Sequence, residues 1–336
     1  MPEDLIYLPD APCIPGLSFR HLRGESDYAP MAAALNASSD ADHVERAMTT
    51  QDFANVYTHL VNSDAYQDVI LAEVGSQVIG YARSWWVAEE NDGPYVYPFV
   101  GFLMPAWRRR GIGGAVLRWL EQRLRTVAAG HPPERPKFFQ AFANEAEVGL
   151  AAMLEKNGYR PARYFHDMVR PTLDDIPDFP LPPGIEVRPV QPSHYRPIWD
   201  AGVDAFRDHW NATSPGEADY EAWLHDSVFQ PHLWIVAWDV AANRVAGQVR
   251  TYIDQHENEK FGRRRGQTEF ISVIRPWRRR GLARALIARS LQVQKDQGMT
   301  ESALGVDSEN LCGATRVYED CGFRVVRRNM IYRKPL

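Results

Sequence analysis

Apolar residues along the chain fall into two spacings. Short apolar runs bounded by turn residues predict strands at Val69–Val74 and Val78–Trp86, and again at Leu233–Trp238 and Arg244–Ile253. The links between them, Gly75-Ser76-Gln77 and Val240-Ala241-Ala242-Asn243, have the composition of hairpin turns. Leu17-Ser18-Phe19-Arg20 and Ile185-Glu186-Val187-Arg188 alternate apolar with polar residues, as opening strands do. Elsewhere the spacing is helical. Val116, Leu117, Leu120, Leu124 and Val127 share one face of a long amphipathic helix, and Leu282, Ala285, Leu286 and Leu291 share another. Shorter helices are predicted from Ala29 to Ala34 and beyond, at Pro197–Phe206 and at Ala218–Ser227, with further strands at Phe138–Ala143 and Ala303–Val306.

These elements come twice, in the same order. Val78-Ile79-Gly80-Tyr81-Ala82-Arg83-Ser84 matches Val245-Ala246-Gly247-Gln248-Val249-Arg250-Thr251, and Trp107-Arg108-Arg109-Arg110-Gly111 matches Trp277-Arg278-Arg279-Arg280-Gly281. Ser26–Pro30 and Ser193–Pro197 also correspond, as do Gly158-Tyr159-Arg160 and Gly322-Phe323-Arg324. The offsets stay within about 164 to 171 residues, which marks a tandem repeat. Between the copies, prolines at 171, 177, 180, 182 and 183 remove backbone donors and fix φ, so an extended linker is expected. The expected division is a first domain over 1–174, a linker over 175–184 and a second domain over 185–336. Each has the pattern of an α/β domain with a mixed, mostly antiparallel sheet flanked by helices.

Composition narrows the function. Hydrophobic residues at 45% and charged residues at 24% describe a globular chain. No stretch has the length and apolarity of a membrane span, and the acidic opening residues lack the apolar core of a secretory signal. The three cysteines, Cys13, Cys312 and Cys321, have no metal-ligand spacing, so a cytoplasmic setting and no metal are expected. A net charge of −5 argues against general nucleic-acid binding.

The chemistry concentrates where a strand meets each long helix. Arg108-Arg109-Arg110-Gly111-Ile112-Gly113 and Arg278-Arg279-Arg280-Gly281-Leu282-Ala283 both read Arg-x-x-Gly-x-small. Glycine lets the backbone turn sharply and approach a ligand. The first helical amides lack intrahelical partners and sit at the positive end of the helix dipole, so a pyrophosphate is a natural guest. The plain alternative is a solvated, arginine-rich helix start with no ligand. A dinucleotide site of the three-glycine type is not present in either copy.

On these loops, and on Asn310, Tyr318 and Gly322-Phe323 in the second copy, the chain resembles the GNAT superfamily of acetyltransferases. The resemblance covers nearly the whole chain as two tandem domains. It implies a mixed sheet splayed between its fourth and fifth strands, with coenzyme A in the splay and acetyl-CoA as the acyl donor. By the same resemblance, Ile271, Ser272 and Val273 offer backbone groups to pantetheine and the acyl carbonyl. Arg278, Arg279, Arg280, Gly281, Leu282, Ala283 and Arg284 hold the pyrophosphate, and Asn310 belongs to the same cofactor site. In the first copy the matching positions are Gly101, Phe102 and Leu103, followed by Arg108, Arg109, Arg110, Gly111, Ile112, Gly113 and Gly114.

Acyl transfer to an amine needs a base for the amine and an acid for the departing thiolate. Tyr318 stands where the family places its acid, against the plain alternative of an aromatic in the core. Glu269, on the strand entering the loop, is the candidate base; at four residues before Val273, strand periodicity puts both on one face. Asp307 is a weaker candidate, and Cys312 and Cys321 read as small apolar filling. In the first copy Leu154 replaces the tyrosine and Phe99 the glutamate, so that copy is expected to bind coenzyme A at most. For the acceptor, the segment Phe206–Tyr220 offers Asp208, Glu217 or Asp219 to an ammonium, or is an ordinary solvated loop over Trp210; His209 reads as structural. The expected acceptor is a small-molecule amine, and the protein a monomer or homodimer. Acetylation of a protein N-terminus or lysine, and a non-catalytic coenzyme A sensor, are the competing readings.

Overall fold

The computed structural model describes residues 4–90, 92–310 and 313–336, which form two compact units. The first holds residues 4–162, 225–227 and 330–336, and the second residues 163–224 and 228–329, with the exceptions just given.

In the first unit the strands are β1 (Leu5–Ile6), β2 (Leu17–Arg20), β3 (Val69–Val74), β4 (Gln77–Ser84), β5 (Val87–Ala88), β6 (Tyr95–Leu103) and β7 (Lys137–Asn144). β1, β2, β3, β4 and β6 pair antiparallel in that order, and β6 then pairs parallel with β7. A parallel pair needs a crossover, and α3 (Ile112–Ala128) supplies it. Ile112, Leu117, Leu120 and Leu124 of α3 are buried against Ile70, Ile79, Tyr97 and Phe139 of the sheet. On the opposite face, Met31 and Leu35 of α1 (Tyr28–Ala41) and Phe53 of α2 (Thr50–Thr58) cover Val69, Leu71 and Tyr81. α4 (Val148–Lys156) follows β7, and its Leu154 joins the α3-side core.

The second unit repeats the plan. Its strands are the Arg163–Arg170 part of β8 (Arg160–Arg170), β9 (Ile185–Val187), β10 (Ile235–Asp239), β11 (Arg244–Tyr252), β12 (Arg265–Val273) and β13 (Glu301–Asp307). The order is β9-β10-β11-β12-β13-β8, with β12 and β13 the parallel pair. α5 (Tyr195–Phe206) and α6 (Glu217–Leu224) precede β10, and α7 (Gln255–Phe261) lies between β11 and β12. The crossover helix α8 (Leu282–Asp296) buries Leu282, Leu286, Ile287 and Leu291 with Val249 and Leu304. α9 (Ala314–Asp320) leads to the closing strand β14 (Arg324–Pro335). The mixed α/β fold, mostly antiparallel and flanked by helices, is the one expected from the sequence. No helix is long and apolar enough to cross a membrane among the described residues.

A buried ion triad holds the front of the first unit. Arg20 on β2 donates from Nε to Glu73 Oε1 at 2.8 Å and from Nη1 and Nη2 to Asp27 at 2.8 and 2.7 Å. Arg20 is 2% exposed, so removing it would strand two carboxylates away from water. Arg20→Ala should therefore lower stability by about 3–5 kcal/mol in urea denaturation, a much larger loss than a surface arginine gives.

Candidate active site

The parallel pair in the second unit stops short. β12 and β13 are in register at Arg265↔Glu301, Gly266↔Ser302 and Gln267↔Ala303, and the ladder ends there. Beyond Gln267, the backbone groups of β12 that face β13 have no partner strand. Ile271, Ser272 and Val273 follow on β12 beyond the last residue paired to β13, with Ser272 and Val273 still paired to β11. At the end of β12 the chain passes through a short turn into α8, so opening and loop are contiguous in sequence.

Glu269 stands at the start of the opening. Its Oε1 accepts a hydrogen bond of 3.0 Å from the Gly305 amide on β13, across the gap. Burial of the carboxyl group pushes its pKa up to about 7; the Gly305 donor opposes this, and nearby Asp167 on β8 adds to it. The expected shared face of Glu269 and Val273 is not observed. β12 carries a bulge: Gln248 faces Ser272, but Arg250 faces Glu269, so one extra residue lies between the two pairs. Phe270 takes up the irregularity with φ +49° and 53% exposure. The bulge reverses the alternation, so Glu269 shares a face with Ser272 and Val273 turns to the α8 side.

The two Arg-x-x-Gly-x-small loops have one geometry in both units. Gly281 is the N-cap of α8 at φ 82° and Gly111 the N-cap of α3 at φ 90°, both left-handed. Two residues earlier, Arg279 at φ 61° and Arg109 at φ 59° are left-handed as well. Neither helix start is capped by a side chain. Successive amides in such a curl, followed by free helical N–H groups, form a concave anion site. A Cβ on Gly281 would meet nothing within 4 Å, whereas one on Gly111 would lie 3.5 Å from the Pro12 ring.

The arginines divide their roles. Arg278 donates to Val273 O, Ala205 O and Asp208 Oδ2, tying the strand end to α5. Arg108 makes the equivalent clamp on Leu103 O, Ser38 and Asp42. Arg284 pairs with Asp320. Arg279 and Arg280 are exposed, with Arg280 stacked on Trp277 at 5.0 Å, as Arg110 is on Trp107 at 4.9 Å. These two, with the helix amides, are the groups of the second loop that face an anion most openly.

Tyr318 on α9 is 8% exposed and lies in the core cluster with Leu282, Leu286 and Phe323. In the first unit Leu154 is fully buried, and Phe99 packs edge-on against Tyr159 at 5.8 Å. β4 and β6 there pair from Gly80↔Leu103 to Ser84↔Phe99 without a bulge. Asp307 is held by Arg163 at 2.9 Å. Burial pushes the Cys321 thiol up to about 11; Cys312 lies outside the described residues. Asp208 is engaged by Arg275 and Arg278, which hold its carboxyl well below its usual range. Glu217 pairs with Arg196, and Asp219 accepts from the Gly216 amide. Burial lowers the His209 pKa. Sequence reasoning missed Asp167, which comes from the first repeat's closing strand, and Arg250, a buried arginine on β11. The mark of Arg250 was an arginine flanked by valine and threonine in a strand that is otherwise mostly apolar.

Comparison with known proteins decides the family. The model for the acetyltransferase (GNAT) family matches residues 33–131 and 196–323, one stretch in each repeat. The chain belongs to the GNAT acetyltransferase family. It is 27% identical to a mycothiol acetyltransferase of Catenulispora acidiphila over 318 residues, covering 92% of this chain and 95% of that protein. A mycothiol acetyltransferase of Salinispora tropica is 30% identical over 222 residues, covering 65% and 67% of the two chains. Among solved structures, a GCN5-related N-acetyltransferase from Sphaerobacter thermophilus aligns at a TM-score of 0.71, with 25% identity, over 98% of this chain and 97% of that one. A tandem GNAT protein from the clavulanic acid biosynthesis pathway, at 16% identity and a TM-score of 0.70, covers 95% and 98% and shares the fold. This GNAT chain is thus matched in both repeats and along nearly its full length.

The raised pKa of Glu269 makes folding pH-dependent. With a folded value of about 7 against 4.5 for an ordinary glutamate side chain, the neutral acid's stabilising contribution is fully present below about 4.5. It is lost as pH rises through about 7. Glu269→Gln should therefore stabilise the protein at pH 8 by roughly 1–3 kcal/mol, allowing for solvent screening, and change little at pH 5. Thermal melts at the two pH values check this; equal effects at both would contradict the assignment.

Proposed function

We propose that this protein transfers the acetyl group of acetyl-CoA to a primary amine of a small molecule, by direct attack, in the second unit. The observation that carries the reading is Glu269, poised near neutrality at the mouth of the β12–β13 opening and fixed by the Gly305 amide. A base with a pKa near the working pH can take the amine's proton and still be largely ionised beforehand. The residues of the loop suit a coenzyme A pyrophosphate: left-handed Gly281 leaves open space, α8 starts there without a side-chain cap, and Arg279 and Arg280 are exposed just before it. When bound, acetyl-CoA supplies the thioester carbonyl and a thiolate leaving group. Glu269 accepts the proton of the attacking amine, directly or through water. The free amides of the β12 edge donate to the carbonyl oxygen as its charge grows. Tyr318 gives its phenolic proton to the departing thiolate.

The names of the curated relatives support a small-molecule acceptor. The first unit then serves as scaffold, because Leu154 and Phe99 hold the two catalytic positions as core side chains.

Calorimetric titration should give one acetyl-CoA per chain. Gly281→Glu should abolish binding and Gly111→Glu leave it intact; no saturable heat with the unmodified protein would overturn the reading. In steady-state assays of CoA release, kcat/KM should rise with pH through about 7. Glu269→Gln should remove that rise and cost roughly 10²–10⁴-fold, and Tyr318→Phe should lower kcat by a similar factor. Near-wild-type turnover in either variant would exclude the role given to that residue.

A further inference from the structure

The face of the second sheet that carries Glu269 also carries a buried cation. Arg250 on β11 is 6% exposed and directly faces Glu269 in the strand register. Its guanidinium makes a single hydrogen bond, from Nε to Gln248 Oε1 at 3.0 Å. No carboxylate pairs with it among the described residues. Aromatic rings surround it instead: Trp223 on α6 at 4.7 Å, Trp234 at 5.8 Å and Phe270 of the bulge at 4.8 Å. Its Nη2 also lies close to the Cα side of Gly202 on α5, where any side chain would collide with it. Burial without a counter-charge lowers its pKa to about 10.

A guanidinium has five N–H donors in a planar fork, and here only one is engaged. Ring faces compensate part of the lost hydration, but they accept no in-plane hydrogen bonds. The remaining donors suit a planar, two-oxygen anion better than any neutral group. The matching residue of the first repeat, Arg83, is half-exposed and lies by Tyr57 and Trp85, opposite Val100. Of the two units, the second alone sets this arginine opposite a glutamate in the strand register.

We infer that Arg250 is a recognition residue for a carboxylate on the acceptor, so that the acceptor is an amine carrying a carboxylate a few bonds from its nitrogen. Opposed residues of an antiparallel pair lie about 4.5–5.5 Å apart at Cα and project to the same face. An acceptor lying on that face would place its carboxylate on Arg250 and its amine toward Glu269, as an α- or β-amino acid carries both groups. This rests on the reading of the second unit as the acyltransferase.

The test uses the full chain and matched probes: L-alanine, β-alanine and L-phenylalanine, each beside its amide. Binding is followed by tryptophan fluorescence, since Trp223 and Trp234 flank the guanidinium, and turnover by CoA release from acetyl-CoA. The free carboxylate forms should bind saturably and exceed their amides at least tenfold in kcat/KM. Arg250→Gln should erase that preference through KM, with acetyl-CoA binding as the check that the variant is folded. Arg250→Lys, which keeps the charge but loses the fork, should fall between. Equal response to acid and amide in the unmodified protein, or a preference that survives Arg250→Gln, overturns the inference, as does failure of every carboxylate to bind. A loss of melting temperature in Arg250→Gln with selectivity unchanged would make the arginine structural only. Failure to bind acetyl-CoA at all would instead strike the acyltransferase reading.

Discussion

β12 and β13 hydrogen-bond for three residues each and then part, and the second unit is organised around that separation. An interior sheet seldom leaves edge amides and carbonyls facing an opening, because unpaired backbone groups are costly away from water. Here the opening is kept by what borders it. The bulge at Phe270 turns Glu269 into a position where its carboxylate bridges to Gly305, and α8 begins where β12 ends. The end of the parallel pairing, Glu269 and the uncapped start of α8 therefore lie on consecutive stretches of one strand and one loop. Arg278 clamps that loop to α5 through Val273 O and Ala205 O.

The two repeats share a scaffold and differ at a few buried positions. β6 and β7 also stop pairing, after Phe99 and Ala141, and the following loop keeps both left-handed residues. Yet the bulge is missing, and an aromatic fills the glutamate position while a leucine fills the tyrosine position. Each replacement suits the core. Phe99 packs on Tyr159 and Leu154 is sealed, which removes any charge that would resist burial there. The residues that stand in place of the glutamate and the tyrosine are the same ones that let the first unit close its interior.

Much of this was legible in the sequence because it rests on local chemistry. The paired Arg-x-x-Gly-x-small loops, the amphipathic crossover helices and the hairpins all follow from spacing and glycine placement, and the structure places each where it was expected. α2 and α7 were overlooked although their caps are plain: Thr49 with Asp52 forms a capping box, and Asp254 caps Glu257. The bulge was not legible, since one extra residue in a strand leaves the apolar pattern nearly unchanged while reversing every side chain beyond it. The acceptor carboxylates proposed from the loop after α5 are engaged with arginines or a backbone amide, which depends on tertiary neighbours. Asp167 was missed for a similar reason, because its approach to Glu269 comes from pairing between distant segments.

The membership of the two units has a consequence for how the chain is made. Residues 163–170 close the second sheet beside β13, and residues 330–336 belong to the first unit, where Tyr332 is buried in the α3-side core. On a ribosome, the first unit can fold most of its length early but cannot be completed until residues 330–336 emerge. At roughly 5–20 residues per second, that interval is on the order of ten seconds or more. During it the edge of β7 and the pocket for Tyr332 stay open, so this protein has a vectorial delay built into its topology. The charged residues Arg333 and Lys334, which pair with Glu89 and Glu121, arrive with the strand that ends it.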